Sequence, residues 1–191
     1  MSLLRVVPIE EPGRLILQTR DEPAIASALG KKGVRFERWS AAQKLPAEAD
    51  QAAVLSAYAP QVEKLKAQQY TTVDVVRLRP AAGDPAWPAK AAAARAKFLE
   101  EHTHAEDEVR FFVEGRGLFY LRLGGEVFLI LCEAGDLLSV PAGTRHWFDM
   151  GTSPSFCAIR FFQKPDGWVG AFTGDSVARR FPSFDDVASA P

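Results

Sequence analysis

The apolar positions of this chain change their period once, near Leu99, and the two sides of that point read differently. Before it, short alternating runs and helical stretches take turns. Leu3–Val7 and Arg14–Gln18 read as short strands, broken by Pro8 and by Pro12-Gly13. Thr19-Arg20-Asp21-Glu22 has the Thr-x-x-Glu form of a capping box, and Pro23 suits a first helical turn. A helix is therefore expected to run to about Leu29, with Gly30 as a left-handed C-terminal cap. Val34–Trp39 alternates as a half-buried strand. Residues 47–69, rich in Ala, Gln, Lys and Glu, predict two helical pieces, with Pro60 opening the second. Tyr70–Leu78 is a strand by its β-branched content, and Trp87–Leu99 a helix with Pro88 in its first turn.

Beyond Leu99 short strands follow one another: Val109–Glu114, Leu118–Leu123, Glu126–Cys132, Leu137–Val140, His146–Met150 and Phe156–Gln163. Gly115-Arg116-Gly117 and Gly124-Gly125 read as hairpin turns. Strands at this spacing suggest a sandwich or a closed barrel. Several (FFVEG, FLIL, IRFF) are apolar on both faces, so the outside needs cover, which the helices of the N-terminal third would supply. The expected organisation is one mainly β domain over residues 1–191. An α/β preface (1–98) would pack on a barrel core (99–174), followed by a surface tail (175–191) fraying at its end.

Composition narrows the class. A formal charge of −1 over 191 residues leaves no electrostatic footprint for nucleic acid or an anionic membrane. No window approaches the ~18 apolar residues of a membrane span, and MSLLRVVPIEEPGR lacks the pattern of a signal peptide. Cys132 and Cys157 sit in apolar strands and read as buried free thiols of a cytoplasmic protein.

The candidate chemistry lies in EEHTHAEDEVRFFVEGRG, residues 100–117, which holds two of the three histidines. His102 and His104 share a face on extended backbone, and Glu108 has the same parity if the chain stays extended or bulges once. Two imidazoles and a carboxylate on one face make a site suited to Fe, Ni, Zn or Mn. Glu106 and Asp107 read as exposed acids beside it, and Glu108 is preferred on spacing. Arg110 has the parity of Glu108 and faces the same side. Arg160, between apolar neighbours, needs a partner, either an anionic ligand or a salt-bridging acid.

His102-x-His104-x3-Glu108-x6-Gly115, then Gly135-x5-Pro141-x-Gly143-x2-His146, resembles the two motifs of the cupin double-stranded β-helix, a jelly-roll barrel. The wider text, EEHTHAEDEVRFFVEGRGLF with DLLSVPAGTRHWFDMG and AIRFF, resembles the acireductone dioxygenases of methionine salvage. Ala96 and Met150 depart from the general cupin pattern without touching a ligand position. The resemblance implies His102, His104, Glu108 and His146 as ligands of one Fe(II) or Ni(II) per chain. The substrates implied are the acireductone 1,2-dihydroxy-3-keto-5-methylthiopentene and O2. Four protein ligands around an octahedral ion leave two adjacent positions, on which an enediol can chelate. Arg110 and Arg160 would then meet the anionic substrate, and Phe98, Phe148 and Trp168 its methylthio side chain, with plain core packing an equal reading for the aromatics. A monomer is expected. A metal-dependent sugar isomerase or epimerase, or a non-catalytic binding cupin, could use the same ligands.

Overall fold

The computed structural model describes residues 1–80 and 83–189. In chain order these form β1 (Leu3–Pro8), β2 (Leu17–Thr19), α1 (Glu22–Gly30), β3 (Arg35–Arg38), α2 (Gln51–Ala57), α3 (Ala59–Lys66), β4 (Thr72–Leu78) and α4 (Trp87–Ala96). Then come β5 (His102–Thr103), β6 (Glu108–Leu123), β7 (Glu126–Glu133), β8 (Asp136–Val140), β9 (Arg145–Asp149), β10 (Phe156–Phe162) and β11 (Ala171–Phe172). A 3₁₀ turn (Ser176–Arg180) and α5 (Phe184–Ala188) close the chain.

All strand pairs are antiparallel, and β6 belongs to two sheets. Its first half lies between β10 and β8, with β4 and β3 outside them. Its second half lies between β9 and β7, in the order β11-β5-β9-β6-β7-β1-β2. The sixteen residues of β6 therefore run through the place where a hairpin was expected. Gly115 and Gly117 serve that passage. Gly115 has φ +66°, and a Cβ there would lie 1.9 Å from the Ser155 carbonyl oxygen. A Cβ on Gly117 would lie 2.3 Å from the Phe148 ring. Glycine here marks a close approach between strands, a use that sequence alone does not separate from a turn. Gly124-Gly125, both at positive φ, do form the β6–β7 hairpin.

The sheets also draw strands from the N-terminal third, since β1 pairs with β7, β3 with β8 and β4 with β10. A boundary at residue 98 does not separate barrel from preface. Between the sheets lies a core that includes Leu4, Phe112, Phe119, Ile130, Leu138, Phe148 and Phe156, against which α1 packs Ile25 and Leu29. Outside the β10–β6–β8 sheet, Val109, Phe111, Ile159 and Phe161 are covered by Val54, Tyr58, Val62 and Leu65 of α2 and α3. Outside the other sheet, Leu118, Tyr120, Leu129 and Trp147 are covered by Val177, Phe181 and Val187 of the C-terminal segment. That segment is a packed lid on the sheet where a loose tail was expected, because Tyr120 and Trp147 need an apolar cover. Its last two residues lie outside the described ones.

α1 also departs from expectation at both ends. Its N-cap is Asp21, whose carboxylate accepts from Ala24 N, and the left-handed residue is Gly33 rather than Gly30. Asp21 wins because its side chain reaches N3, whereas Thr19 lies two residues too early and its Oγ1 accepts from Asp21 N. Cys132 and Cys157 are buried and unpaired. No described helix is long and apolar enough to cross a membrane.

Candidate metal centre

Two strands bring the three histidines together. His102 on β5 stands directly opposite His146 on β9, and His104 follows β5 by one residue. The rings sit with centroids 4.5 Å (His102–His146), 5.1 Å (His102–His104) and 5.2 Å (His104–His146) apart. One nitrogen of each ring lies within 4.8 Å of the other two. All three side chains are buried.

The outer nitrogens fix what the inner ones are. His102 Nδ1 donates to Glu100 O at 2.8 Å, His104 Nδ1 to Val169 O at 3.0 Å and His146 Nδ1 to Thr144 O at 2.8 Å. A carbonyl only accepts, so each Nδ1 carries the hydrogen and each neutral ring keeps its lone pair on Nε2. This is how proteins orient histidine toward a metal. Burial pushes His102 down to about 4, with the neighbouring His146 adding to the fall. Burial lowers His104 as well. Both rings are thus held neutral, as ligation requires.

Glu108, the first residue of β6, completes the group. The chain bends at Ala105-Glu106, so that bend, and not continuous extended backbone, swings Glu108 beside the imidazoles. Its Oε2 lies 2.8 Å from His146 Nε2 and 3.7 Å from His104 Nε2. Neither Glu108 Oε2 nor His146 Nε2 has a hydrogen-bond partner among the described residues, and both are buried. Two lone pairs facing each other at this distance, away from water, are costly unless a cation lies between them. The donor set, three imidazoles and a carboxylate without thiolate, fits a borderline divalent ion.

Behind Glu108, Arg110 is buried and pairs through Nη2 with Glu108 Oε1. Its guanidinium sits 4.9, 5.1 and 5.7 Å from the ring centres of Phe148, Phe119 and Phe98. Burial works to raise the Glu108 carboxyl, but the Arg110 guanidinium beside it holds the group well below its usual range. Arg160 stands opposite Arg110 across β10 and β6, yet its fork is held by Asp74 of β4, at 2.8 and 2.6 Å. Of the two alternatives for Arg160, the salt bridge is the one formed.

The opening is a cleft of about 310 Å³ lined by Lys97, Phe98, His102, His104, Trp168, Val169, Gly170 and Phe172. Trp168 is exposed at its rim, whereas Phe148 lies buried below, beside Arg110 and Gly117. The structure thus brings Phe98, Phe148, Arg110 and the four metal candidates together, puts Trp168 at the edge and leaves Arg160 apart.

Several participants escape the sequence pattern. Phe172 of β11 lines the cleft, its ring 5.7 Å from that of His102. Glu106 and Asp107, expected on the surface, are both engaged. Glu106 is 7% exposed and accepts from Gln163 N and Lys164 N, while Asp107 accepts from Tyr70 Oη and Ala142 N. The bend at 105–106 turns these acids inward, where a regular strand would have left them outside.

A family model described as "ARD/ARD′ family" matches residues 10–170. The chain belongs to that family. The ARD/ARD′ relatives include "Acireductone dioxygenase 1" of Nocardia farcinica, 54% identical over 98% of this chain and 99% of its own length. "Acireductone dioxygenase" of Parvibaculum lavamentivorans is 53% identical over 97% and 98%. Among solved structures, an acireductone dioxygenase of Bacillus anthracis with a cadmium ion in its active centre superposes with a TM-score of 0.73. It is 28% identical, and the match covers 90% of this chain and 98% of that one. The mainly β cupin barrel expected from the two motifs is the fold of this ARD/ARD′ protein.

Proposed function

We propose that this chain is a metal-dependent dioxygenase that cleaves an acireductone with O2, with His102, His104, Glu108 and His146 as the ligands. The observation that carries the reading is the buried, unpartnered pair of His146 Nε2 and Glu108 Oε2, facing each other between two oriented imidazoles. Support comes from the ARD/ARD′ membership and from relatives named for this activity. The substrate is 1,2-dihydroxy-3-keto-5-methylthiopentene, and the protein serves methionine salvage as a cytoplasmic, single-domain monomer. The metal is Fe(II) or Ni(II), one per chain.

When bound, such an ion supplies Lewis acidity and a place for the enediolate oxygens to chelate. The chain's own groups do the rest. The backbone carbonyls of Glu100, Thr144 and Val169 keep three Nε2 atoms aimed inward. Arg110 holds the Glu108 carboxylate and places a fixed positive charge behind the site, where negative charge develops on the substrate. Phe98 and Phe172 keep water from the inner cleft, and Trp168 receives the methylthio end at the rim.

The test is to strip the protein, reload portions with Fe(II) and Ni(II), and supply the acireductone with O2. Formate and 4-methylthio-2-oxobutanoate are expected from the Fe(II) portion. Formate, carbon monoxide and 3-methylthiopropionate are expected from the Ni(II) portion. No O2 uptake by either portion would refute the dioxygenase reading, and turnover under argon would favour an isomerase. Identical products from both would refute metal control of the outcome.

A further inference from the structure

The turn between β10 and β11 has its side chains outside and its backbone at work. Trp168 and Val169 are each more than half exposed. Yet the Val169 carbonyl is the acceptor that orients His104, and a Cβ on Gly170 would sit 3.2 Å from His102 Cδ2. Two ligand candidates thus rest on a surface turn whose internal hydrogen bonds are few: Gly167 N donates to Lys164 O at 3.2 Å and Val169 N to Asp166 O at 3.0 Å. Such a segment wanders unless something inside the protein holds it.

At its far end the turn is held by the pairing of β11 with β5; at its near end the hold is Glu106. Its buried carboxylate reaches across from the bend before β6, and a single oxygen, Oε2, accepts from Gln163 N at 2.9 Å and Lys164 N at 3.0 Å. The turn is shaped to let it in, because a Cβ on Gly167 would fall 2.5 Å from that oxygen. Among the described residues the other oxygen, Oε1, is buried without a hydrogen-bond partner, with Lys164 Nζ 3.9 Å away. We infer that Glu106 is a positioning residue that latches the 163–170 turn, so that the Val169 carbonyl fixes the ring of His104. Hydrogen bonds from two N–H groups to one ionised oxygen are short and strong, which suits a latch on an otherwise loose turn. The inference rests on the metal-centre reading, and it assigns Glu106 no ligand role, since its engaged oxygen is already spent on the turn.

Four proteins test it: wild type, Glu106→Ala, Glu106→Gln and Gly167→Ala. Ni(II) affinity is measured by chelator competition, and amide hydrogen exchange over residues 164–172 is followed in the stripped proteins. Glu106→Ala and Gly167→Ala, which break the latch from its two sides, should each weaken Ni(II) binding by roughly 10-fold, the low end for loss of an orienting partner. Both should speed exchange in the turn even without metal. Glu106→Gln keeps a carbonyl oxygen in place and should recover most of the affinity. A residue that merely stabilised the fold would lower the melting temperature without this local exchange signature or rescue. Unchanged affinity and exchange in both latch-breaking variants would overturn the inference. A wild type that takes up no Ni(II) would instead refute the metal centre, and the exchange of the stripped proteins would still judge the latch.

Discussion

Arg110 shows how much one buried side chain can be asked to do. It is shielded from water on all sides, its charge balanced by Glu108 and cushioned by three aromatic rings. Removing one member of a buried ion pair strands the other, at a cost of about 3–5 kcal/mol. Arg110→Ala should therefore destabilise the stripped protein by that order, measured by urea denaturation. The deficit should shrink when metal is loaded, because the ion gives Glu108 a new counter-charge. Turnover should fall by about 10²–10³ with metal still bound, as when a preorganised donor is lost. Full activity would mean that the guanidinium serves packing alone. His146→Ala, by contrast, should lose most of its metal, and an ion content near one per chain would speak against this ligand set. The gathering of the three histidines was legible in the sequence because the chain places all of them within two short motifs. Arg110 was legible from strand parity. Glu106 was not, since an AEDE run offers three acids and nothing local says which of them a bend will bury.

Among the elements, β6 is the one the site depends on most. It carries Glu108 and Arg110 in one sheet and Phe119 and Leu121 in the other, and its neighbour β9 brings His146. Strand positions were readable from apolar runs and β-branched content, and so was the hairpin at Gly124-Gly125. The continuity of β6 was not, because glycine permits both a turn and a close crossing, and only the partner strand decides between them. Gly117→Ala tests the crossing. The new methyl would meet the buried Phe148 ring, which itself rests on Arg110. Overpacking of this kind costs about 1–3 kcal/mol. The expected result is a lower denaturation midpoint together with reduced turnover, since Phe148 cannot retreat without disturbing the guanidinium. Gly13→Ala, where a Cβ meets nothing within 4 Å, is the control and should leave both unchanged. Equal behaviour of the two variants would show that Phe148 yields freely.

At the scale of the whole molecule, the metal candidates come from three strands that already lie side by side, β5 paired with β9 and β9 with β6, although β5 follows the last N-terminal helix and β9 comes some forty residues later in the chain. Local sequence could not show that the C-terminal segment covers one sheet and α2 with α3 the other, since cover is a matter of which apolar faces meet. The cost of gathering the histidines should appear as a dependence of stability on pH. In the stripped protein His102 is pushed down to about 4 by burial and by its neighbour His146. An unfolded chain presents the same ring with a pKa of about 6.5. Between those values the unfolded state binds a proton that the folded state refuses, so stability rises with pH across that window. It should be fully present above about pH 6.5 and lost progressively as the pH falls toward 4, by on the order of 3 kcal/mol from this ring. Glu108, held well below its usual range, acts with the same sign at lower pH. His102→Gln carries no such proton and should flatten the profile between pH 6.5 and 4.5. Loaded metal should raise the curve at neutral pH through mass action and lose that advantage on acidification, because protons and the ion compete for the same Nε2 atoms. Urea midpoints of the stripped wild type and of His102→Gln, taken at half-unit steps from pH 7.5 to 4.5, decide the matter. Parallel profiles for the two proteins would mean that His102 is not held neutral by its burial.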